Sequence, residues 1–301
     1  MTFDRHITRF LGQDRKPVSI EFSPPRSEEA GRQILKTAAL LKERISPDFV
    51  SITYGAGGST RERTEEYASI LRNEYGFDVV AHLTCVGASK DEIRAILREY
   101  HAAGLRNIMA LRGDPPKGQS DFRPHPEGCA YANELVELIR ISEPDFCIGV
   151  AGYPETHPQA PSQEADLINL KRKVDAGASF ITTQLFFDNS YFFDFVNRCR
   201  AIGITVPIIP GLMPALSHEQ VIRFGSMNGS SVPAELAVRL AAVEGDAEAA
   251  RKVGIDWACQ QARELLERGA DALHLYIMNR SESALAMVDR LVEEGVIAPR
   301  G

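Results

Sequence analysis

Eight short apolar runs recur along the chain, each rich in β-branched and aromatic residues. Runs that are hydrophobic at nearly every position are typical of parallel strands covered on both faces. The sequence predicts strands at Val18–Phe22, Phe49–Thr53, Val79–Cys85, Ile108–Leu111, Cys147–Ala151, Phe180–Phe187, Val206–Leu212 and Ala272–Met278. Because parallel neighbours need a crossover connection, these runs also predict helices between them.

Amphipathic patterns occupy most of the gaps between the predicted strands. They predict helices over Glu28–Arg44, Arg61–Glu74, Lys90–Ala103, Ala130–Ile141, Gln163–Ala176 and Tyr191–Ala201. Ser27 and Ser89 precede acidic residues and are expected to be N-caps, and Gly104, Gly177 and Gly269 are expected to end helices. Residues 115–128 form a long loop, and residues 214–270 carry two or three further helices.

Eight strand–helix units in 301 residues predict an α/β fold, a single (β/α)8 TIM barrel over residues 1–301 with extra helices between strands seven and eight. A doubly wound sheet is the alternative, but it usually has fewer strands and a glycine fingerprint after the first. Here Ser23-Pro-Pro-Arg26 follows the first strand. The glycine-rich stretch Gly55–Gly58 has neither dinucleotide nor P-loop spacing.

Composition narrows the function classes. The net charge is −7 with no long basic block, which argues against nucleic acid as a partner. No segment approaches the ~20 apolar residues of a membrane span, and Met1–His6 contains no signal-peptide core. The five cysteines are scattered and never in CxxC spacing, which favours a reducing cytoplasm over a disulfide framework. We therefore expect a cytoplasmic protein that acts on small molecules.

The stretch from Asn107 to Pro116 contains a strand that stops at Arg112-Gly113-Asp114, before two prolines that forbid its continuation. Barrel enzymes place their chemistry at the carboxyl ends of strands, although a simple turn capped by Asp114 is the alternative interpretation. The other strands also end near polar residues, namely Thr53, Tyr54, His82, Thr84, Tyr153, Glu155, His157, Gln184, Tyr276, Asn279 and Arg280.

Glu21 lies within the first strand, between Ile20 and Phe22. Burial of a carboxylate is costly unless the group is paired or neutral, and glutamate has a poor β-propensity. Glu21 is therefore the candidate general acid, since burial keeps a proton available near neutral pH. His82 has two interpretations, a site residue or a core histidine. No HxH, HExxH or GxSxG pattern is present, so the chemistry points to an organic cofactor.

The fifth predicted helix carries a polar stripe at spacings of three and four residues. The stripe consists of Asp166, Asn169, Arg172 and Lys173. Much of the opposite side is covered by Leu167, Ile168, Leu170 and Val174. Carboxylate, amide and cationic groups in this arrangement can hold a ribose and a pyrophosphate. A solvated helix face is the alternative interpretation.

Taken together in their order, these motifs resemble the short bacterial methylenetetrahydrofolate reductases over residues 15–292. The motifs are Ser19–Arg26, Val50–Ala56, His82–Cys85, Ala110–Pro116, Gly152–Pro158, Asp166–Gly177, Thr183-Gln184 and Pro210-Gly211. The resemblance implies a flavin enzyme of one-carbon and methionine metabolism. NAD(P)H, with NADH favoured, would reduce FAD in a ping-pong cycle, and 5,10-methylenetetrahydrofolate would then take the hydride to become 5-methyltetrahydrofolate.

The resemblance also implies roles for individual residues. Glu21 matches the general acid, and Asp114 matches the aspartate near both flavin and pterin. The flavin-pocket positions are Thr53, Tyr54, Ala56, His82, Arg112, Gly113, Ala130, Tyr131, Ala132, Tyr153 and His157. The FAD ribose and phosphate ligands are Asp166, Asn169, Arg172 and Lys173. Positions used by folate or the dinucleotide are Gln184, Gln220, Phe224 and Arg280.

Two other functions stay open at this point. One is a flavin-free, folate-dependent one-carbon transferase on the same barrel, which a visible flavin spectrum would exclude. The other is a non-catalytic folate- or flavin-binding subunit, although a pure binding protein has little use for Glu21 and Asp114 together. We also expect a homo-oligomer. The loop from Lys117 to Gly128, with His125 and extra prolines, departs from the family pattern on the adenine side.

Overall fold

The computed structural model describes residues 6–13, 15–55, 61–115 and 122–299. Eight parallel strands form a closed barrel in sequence order, which confirms the predicted (β/α)8 fold. The barrel closes where Val18 pairs with Leu273 and Glu21 with Tyr276. The strands are β1 Val18–Phe22, β2 Phe49–Ile52, β3 Val79–Thr84, β4 Asn107–Leu111, β5 Cys147–Gly152, β6 Phe180–Leu185, β7 Ile208–Leu212 and β8 Leu273–Tyr276.

Helices connect the strands on the outside of the barrel. They are α1 Glu28–Arg44, α2 Arg61–Asn73, α3 Lys90–Ala102, α4 Ala132–Ser142, α5 Gln163–Asp175, α6 Asn189–Ala201, α7 His218–Asn228, α8 Ala234–Ala241, α9 Ala247–Glu267 and α10 Glu282–Glu293. Helices α7, α8 and α9 are the predicted extra helices between β7 and β8. Within the described ranges, no helix is both long and apolar enough to cross a membrane.

The predicted helix ends are formed by the expected capping chemistry. The Ser27 hydroxyl accepts from the Ala30 N–H at 3.2 Å, and Ser89 forms a reciprocal capping box with Glu92. Gly104 and Gly177, which follow α3 and α5, adopt left-handed φ values of 78° and 117°. These local contacts explain why the sequence predicted the boundaries of several helices closely.

Strand β8 ends earlier than predicted, at Tyr276. The reason is local: Met278 and Asn279 adopt left-handed φ values of 51° and 58°. The Arg280 N–H then donates to the Ile277 carbonyl at 2.9 Å, which closes a tight turn that no strand can continue through. Smaller differences from the predicted boundaries occur at the start of α4 at Ala132, the end of β6 at Leu185 and the start of β7 at Ile208.

The barrel interior is apolar at one end only. Alternate strand residues, among them Phe49, Val80, Met109 and Phe180, form a buried interior cluster near the amino-terminal ends of the strands. Ile7, on a 3-10 turn at Ile7–Phe10, is fully buried in this cluster and closes that end. Polar side chains therefore remain for the carboxyl ends of the strands, where the candidate site lies.

Candidate active site

Glu21 lies inside the barrel mouth among polar side chains. Its strand neighbours Ile20 and Phe22 point to the surrounding helices. The Glu21 side chain, 18% exposed, places Oε2 3.5 Å from His82 Nε2 and 3.7 Å from His274 Nε2. The Ser51 hydroxyl donates to the same oxygen at 3.5 Å. Glu21 thus lies between two histidines rather than in a pocket enclosed by hydrocarbon.

His274 connects this carboxyl group to Ser19. The Ser19 hydroxyl lies 2.8 Å from His274 Nδ1 and donates to the Leu273 carbonyl at 3.1 Å. Because a hydroxyl has one hydrogen, Ser19 accepts from His274 Nδ1–H, and the other ring nitrogen, Nε2, faces Glu21. The Ser19 hydroxyl therefore fixes the orientation of the His274 ring next to the Glu21 carboxyl group.

Sequence reasoning missed Ser19 and His274. The missed signal was alternation along a strand: Ser19 stands two residues before Glu21, and His274 two residues before Tyr276. Residues two apart share a face of a strand, so the assignment of Glu21 and Tyr276 to the barrel interior would have placed Ser19 and His274 there as well.

Strand β3 presents two buried polar atoms that lack a hydrogen bond. His82 Nε2 and Thr84 Oγ1 make none with any described residue, and His82 is only 8% exposed. Burial lowers the pKa of His82, which Glu21 opposes and His274 reinforces, so the imidazole is neutral near pH 7. Buried polar groups are normally satisfied, so these two atoms fit a polar ligand bound across the ends of β3 and β4.

Only glycine fits at position 113, because of its backbone conformation and its close neighbours. Its φ is +88°, and a Cβ atom there would lie 2.9 Å from both Thr84 Cβ and Val86 Cγ1. Arg112 places its guanidinium 4.9 Å from the centre of the Phe122 ring, and Asp114 is exposed. The backbone after β4 therefore passes close to β3, with a cation and a carboxylate on either side of the glycine.

The loop after β5 brings Tyr153 and His157 together, with ring centres 4.6 Å apart. The His157 N–H donates to Asp166 Oδ2 at 2.9 Å, which ties this loop to α5. Burial raises the pKa of Tyr153 to about 12, with Asp114 and Asp166 adding to the shift. Burial also lowers the pKa of His157, against the opposing carboxylates. Tyr153 is therefore a neutral donor. Arg112 and Asp114 after β4 and Asp166 on α5 lie close enough to Tyr153 and His157 to shift their pKa values.

The polar stripe of α5 has one part that packs against the barrel and one part that is exposed. Lys173 donates to the Ala151 carbonyl at 2.6 Å, and burial lowers its pKa to about 8, against the opposing charge of Asp166. Asn169 and Arg172 are exposed and hydrogen-bond to each other at 3.0 Å. The prediction that Ile168 covers the apolar side is wrong, because it is 51% exposed.

Helix α4, which follows β4, begins at Ala132. Its N-cap, Tyr131, is 60% exposed and makes no side-chain cap hydrogen bond. The Ala130 N–H donates to Glu134 at 2.9 Å.

At the end of β2, the Thr53 carbonyl accepts from Thr64 at 3.1 Å. Tyr54 is half-buried next to Thr53, and Ala56 lies outside the described residues.

Gln220 and Arg280 line one cleft of about 360 Å³, which also contacts Tyr276 at the end of β8. The Gln220 side-chain oxygen accepts from the Leu216 N–H at 2.7 Å. Phe224 lies one turn further along α7, with the Arg223 guanidinium 5.1 Å from its ring centre. Gln184 is half-buried at the carboxyl end of β6. Of the five predicted substrate positions, counting Asp114, the structure therefore places two, Gln220 and Arg280, in a single cleft.

The described residues contain no group of three His, Cys, Asp or Glu that could hold a metal ion. The site does offer a carboxyl group between two imidazoles at the barrel mouth, together with polar and cationic side chains along β3 to α5. This arrangement can bind a large anionic ligand beside a carboxyl group.

Comparison with known proteins agrees with this architecture. The family model for methylenetetrahydrofolate reductase matches residues 6–292. The chain is 40% identical over 274 residues to 5,10-methylenetetrahydrofolate reductase of Escherichia coli, covering 91% of this chain and 90% of that relative. It is 38% identical to methylenetetrahydrofolate reductase (NADH) 1 of Zea mays, covering 97% of this chain but 51% of the maize protein.

Among solved structures, the fold is similar to an uncharacterized protein from Clostridium thermocellum that binds two copies of 5-methyl-5,6,7,8-tetrahydrofolic acid. That match has a TM-score of 0.64 and 17% identity and covers 97% of this chain and 98% of the other. A 2,3-dimethylmalate lyase matches with a TM-score of 0.55 and 11% identity, covering 98% of this chain and 86% of the lyase. At these identities the structural matches support the fold alone.

Proposed function

Because the chain belongs to the methylenetetrahydrofolate reductase family, we propose that it reduces 5,10-methylenetetrahydrofolate to 5-methyltetrahydrofolate with NAD(P)H and FAD. The observation that supports this most directly is Glu21 beside His274 at the barrel mouth, 3.7 Å apart. A reductase of this substrate needs a proton donor next to a hydride-transfer site, and this pair supplies one.

Glu21 protonates the substrate in this proposal. The bridge carbon of methylenetetrahydrofolate lies between two nitrogens and accepts a hydride only after one C–N bond breaks. Breaking that bond needs a proton on the departing nitrogen, which Glu21 delivers. His274, held in place by Ser19, would keep the Glu21 side chain directed into the barrel mouth, and solvent would return the proton to Glu21 between turnovers.

When bound, FAD would accept a hydride from the nicotinamide and later supply it to folate, in a ping-pong order. The residues at the carboxyl ends of β3, β4 and β5 fit this cofactor, since His82 and Thr84 carry polar atoms without a hydrogen bond and Gly113 leaves room for close backbone approach. Lys173 and Arg172 would hold its phosphates, with Asp166 and Asn169 near a ribose. Asp114 would place a carboxylate beside the flavin and favour a cationic form of the folate.

The cleft between α7 and the end of β8 would hold the rest of the substrate. Arg280 lines it and is exposed enough to pair with a carboxylate of the folate tail. Gln220 offers its carboxamide nitrogen, because its oxygen already accepts from Leu216. Phe224 provides an aromatic surface nearby on which a flat ring can stack.

Anaerobic mixing tests the proposal. Purified protein should show a flavin spectrum that bleaches on addition of NADH and returns when methylenetetrahydrofolate is added, with 5-methyltetrahydrofolate as product. NADPH is compared at equal concentration, since the maize relative is named for NADH. A colourless protein that still transfers one-carbon units would support the flavin-free alternative. A protein that binds folate or flavin without any redox change would support the non-catalytic alternative.

A further inference from the structure

The ladder between β6 and β7 contains an irregularity at the barrel mouth. Two residues of β6, Thr183 and Gln184, face the single residue Pro210, because the register shifts between Thr182 and Leu185. Proline has no N–H to donate, and within sheets it is confined to edges and bulges such as this. A bulge redirects the side chains that it carries, so the direction of Gln184 depends on how this bulge is held.

Two contacts hold the bulge, and both involve Thr183. The Gly211 N–H donates to the Thr183 hydroxyl oxygen at 2.9 Å. The Thr183 carbonyl accepts from the Tyr276 hydroxyl at 2.7 Å. A buried backbone carbonyl needs a partner, and here a side chain from β8 reaches over β7 to supply it.

Gly211 makes this reach possible. A Cβ atom at position 211 would lie 2.5 Å from the Tyr276 ring carbon Cε2 and 2.5 Å from the Thr183 carbonyl oxygen. No other residue fits between the tyrosine and the bulge. The Tyr276 ring also packs edge-on to His274, with centres 5.0 Å apart, so its position is restrained on both sides.

The Tyr276 hydroxyl keeps its proton. Burial raises its pKa well above the ordinary value, and the charges of Glu21 and Tyr153 add to the shift. The hydroxyl therefore stays protonated near neutral pH and can donate to the Thr183 carbonyl. Titration of Tyr276 does not enter the chemistry of the site.

One hydrogen bond already holds the oxygen of the Gln184 carboxamide. Its oxygen accepts from the Leu185 N–H at 2.8 Å, and its nitrogen makes no hydrogen bond to the described residues. Resting on the proposed function, we infer that Tyr276 is a positioning residue: it holds the Thr183 bulge so that the Gln184 carboxamide nitrogen is directed to the folate substrate. Tyr276 acts through Gln184 and need not touch the reacting atoms.

A double-mutant cycle between Tyr276→Phe and Gln184→Ala tests the inference with the holoenzyme. Tyr276→Phe removes one neutral hydrogen bond and should raise KM for methylenetetrahydrofolate about three- to tenfold, with a smaller change in kcat. In a protein that already carries Gln184→Ala, Tyr276→Phe should change KM by no more than about twofold further, because the effects of coupled residues are non-additive. Tyr75→Phe is the matched control, since the Tyr75 hydroxyl also donates to a carbonyl, that of Leu35 at 3.2 Å, outside the mouth.

Additive effects of the two substitutions would overturn the inference, as would a pH profile shifted by Tyr276→Phe, which would associate the tyrosine with Glu21 instead. If Tyr276→Phe does not fold, Thr183→Val replaces it in the cycle, because this change removes the oxygen that accepts from Gly211 and should show the same coupling to Gln184. A wild-type protein without reductase activity would contradict the proposed function itself, which is a separate result.

Discussion

At the scale of single residues, Glu21 is the side chain whose replacement should separate the two half-reactions. Glu21→Gln keeps the shape of the side chain but removes the transferable proton. Flavin reduction by NADH needs no such proton, so its rate should stay within about tenfold of wild type. Folate reduction should slow by the ~10²–10⁴ typical of losing a general acid. Stopped-flow absorbance of the flavin measures both steps.

The same pair of rates also tests the alternatives for Glu21. Equal slowing of both half-reactions would mean that Glu21 maintains the shape of the pocket. No slowing of either would mean that the proton comes from another group. Ser51→Ala is a control, because it removes only the long hydrogen bond to Glu21 at 3.5 Å and should change neither rate greatly.

Lys173 gives a prediction about pH. Burial lowers its pKa to about 8, so in the protein without ligand its ammonium loses its charge as the pH rises through that value. A phosphate held by Lys173 then loses a charge-assisted bond. Affinity of the apoprotein for FAD should therefore be higher at pH 7 than at pH 9, as measured by fluorescence titration of the flavin.

The pH dependence should disappear in Lys173→Met. Lys171→Met is the matched control on the same helix, because Lys171 forms an ion pair with Asp175 at the surface and should leave the dependence intact. A dependence that persists without Lys173 would contradict the assignment of this lysine to the phosphates.

At the scale of elements, the amino-terminal 3-10 turn closes the barrel opposite the site. Ile7 is fully buried there, and its N–H donates to Asn107 Oδ1 at 2.9 Å. Ile7→Ala should lower the free energy of unfolding by ~2–5 kcal/mol through lost burial and a residual cavity. Urea unfolding measures this change.

Ile141→Ala is the control for the same substitution at the surface, since Ile141 is 75% exposed. It should change the free energy of unfolding by no more than about 0.5 kcal/mol. Equal effects of the two substitutions would show that the turn does not belong to the stable part of the barrel.

At the scale of the whole molecule, barrel closure predicts one cooperative unit. Strand β8 pairs with β1 on one side and β7 on the other. Separating β8 from either neighbour therefore exposes two unpaired strand edges. Trp257 on α9 donates to the Phe187 carbonyl at 2.9 Å and reports on the docking of that helix. Its fluorescence and far-UV circular dichroism should therefore follow urea unfolding with the same midpoint. Different midpoints would argue that α7–α9 form a unit apart from the barrel.

Much of the fold was predictable from local chemistry. The bounds of β1 and α1 match the predicted ranges, because runs of β-branched residues and the Ser27 cap act over a few residues. The end of β8 was not predictable in this way, since nothing in the type of Met278 indicates a left-handed conformation.

The sequence by itself determined which residue types stand at the carboxyl ends of the strands, because alternation and strand length are local properties. Only the tertiary structure decided which of them meet. Glu21 and His274 are distant in the chain and become neighbours because β1 pairs with β8. The division of the α5 stripe depends on how that helix rotates against β5, and the contact of Tyr276 with Thr183 depends on a bulge beside Pro210. Such contacts follow from barrel closure and packing, for which no short stretch of sequence carries a signal.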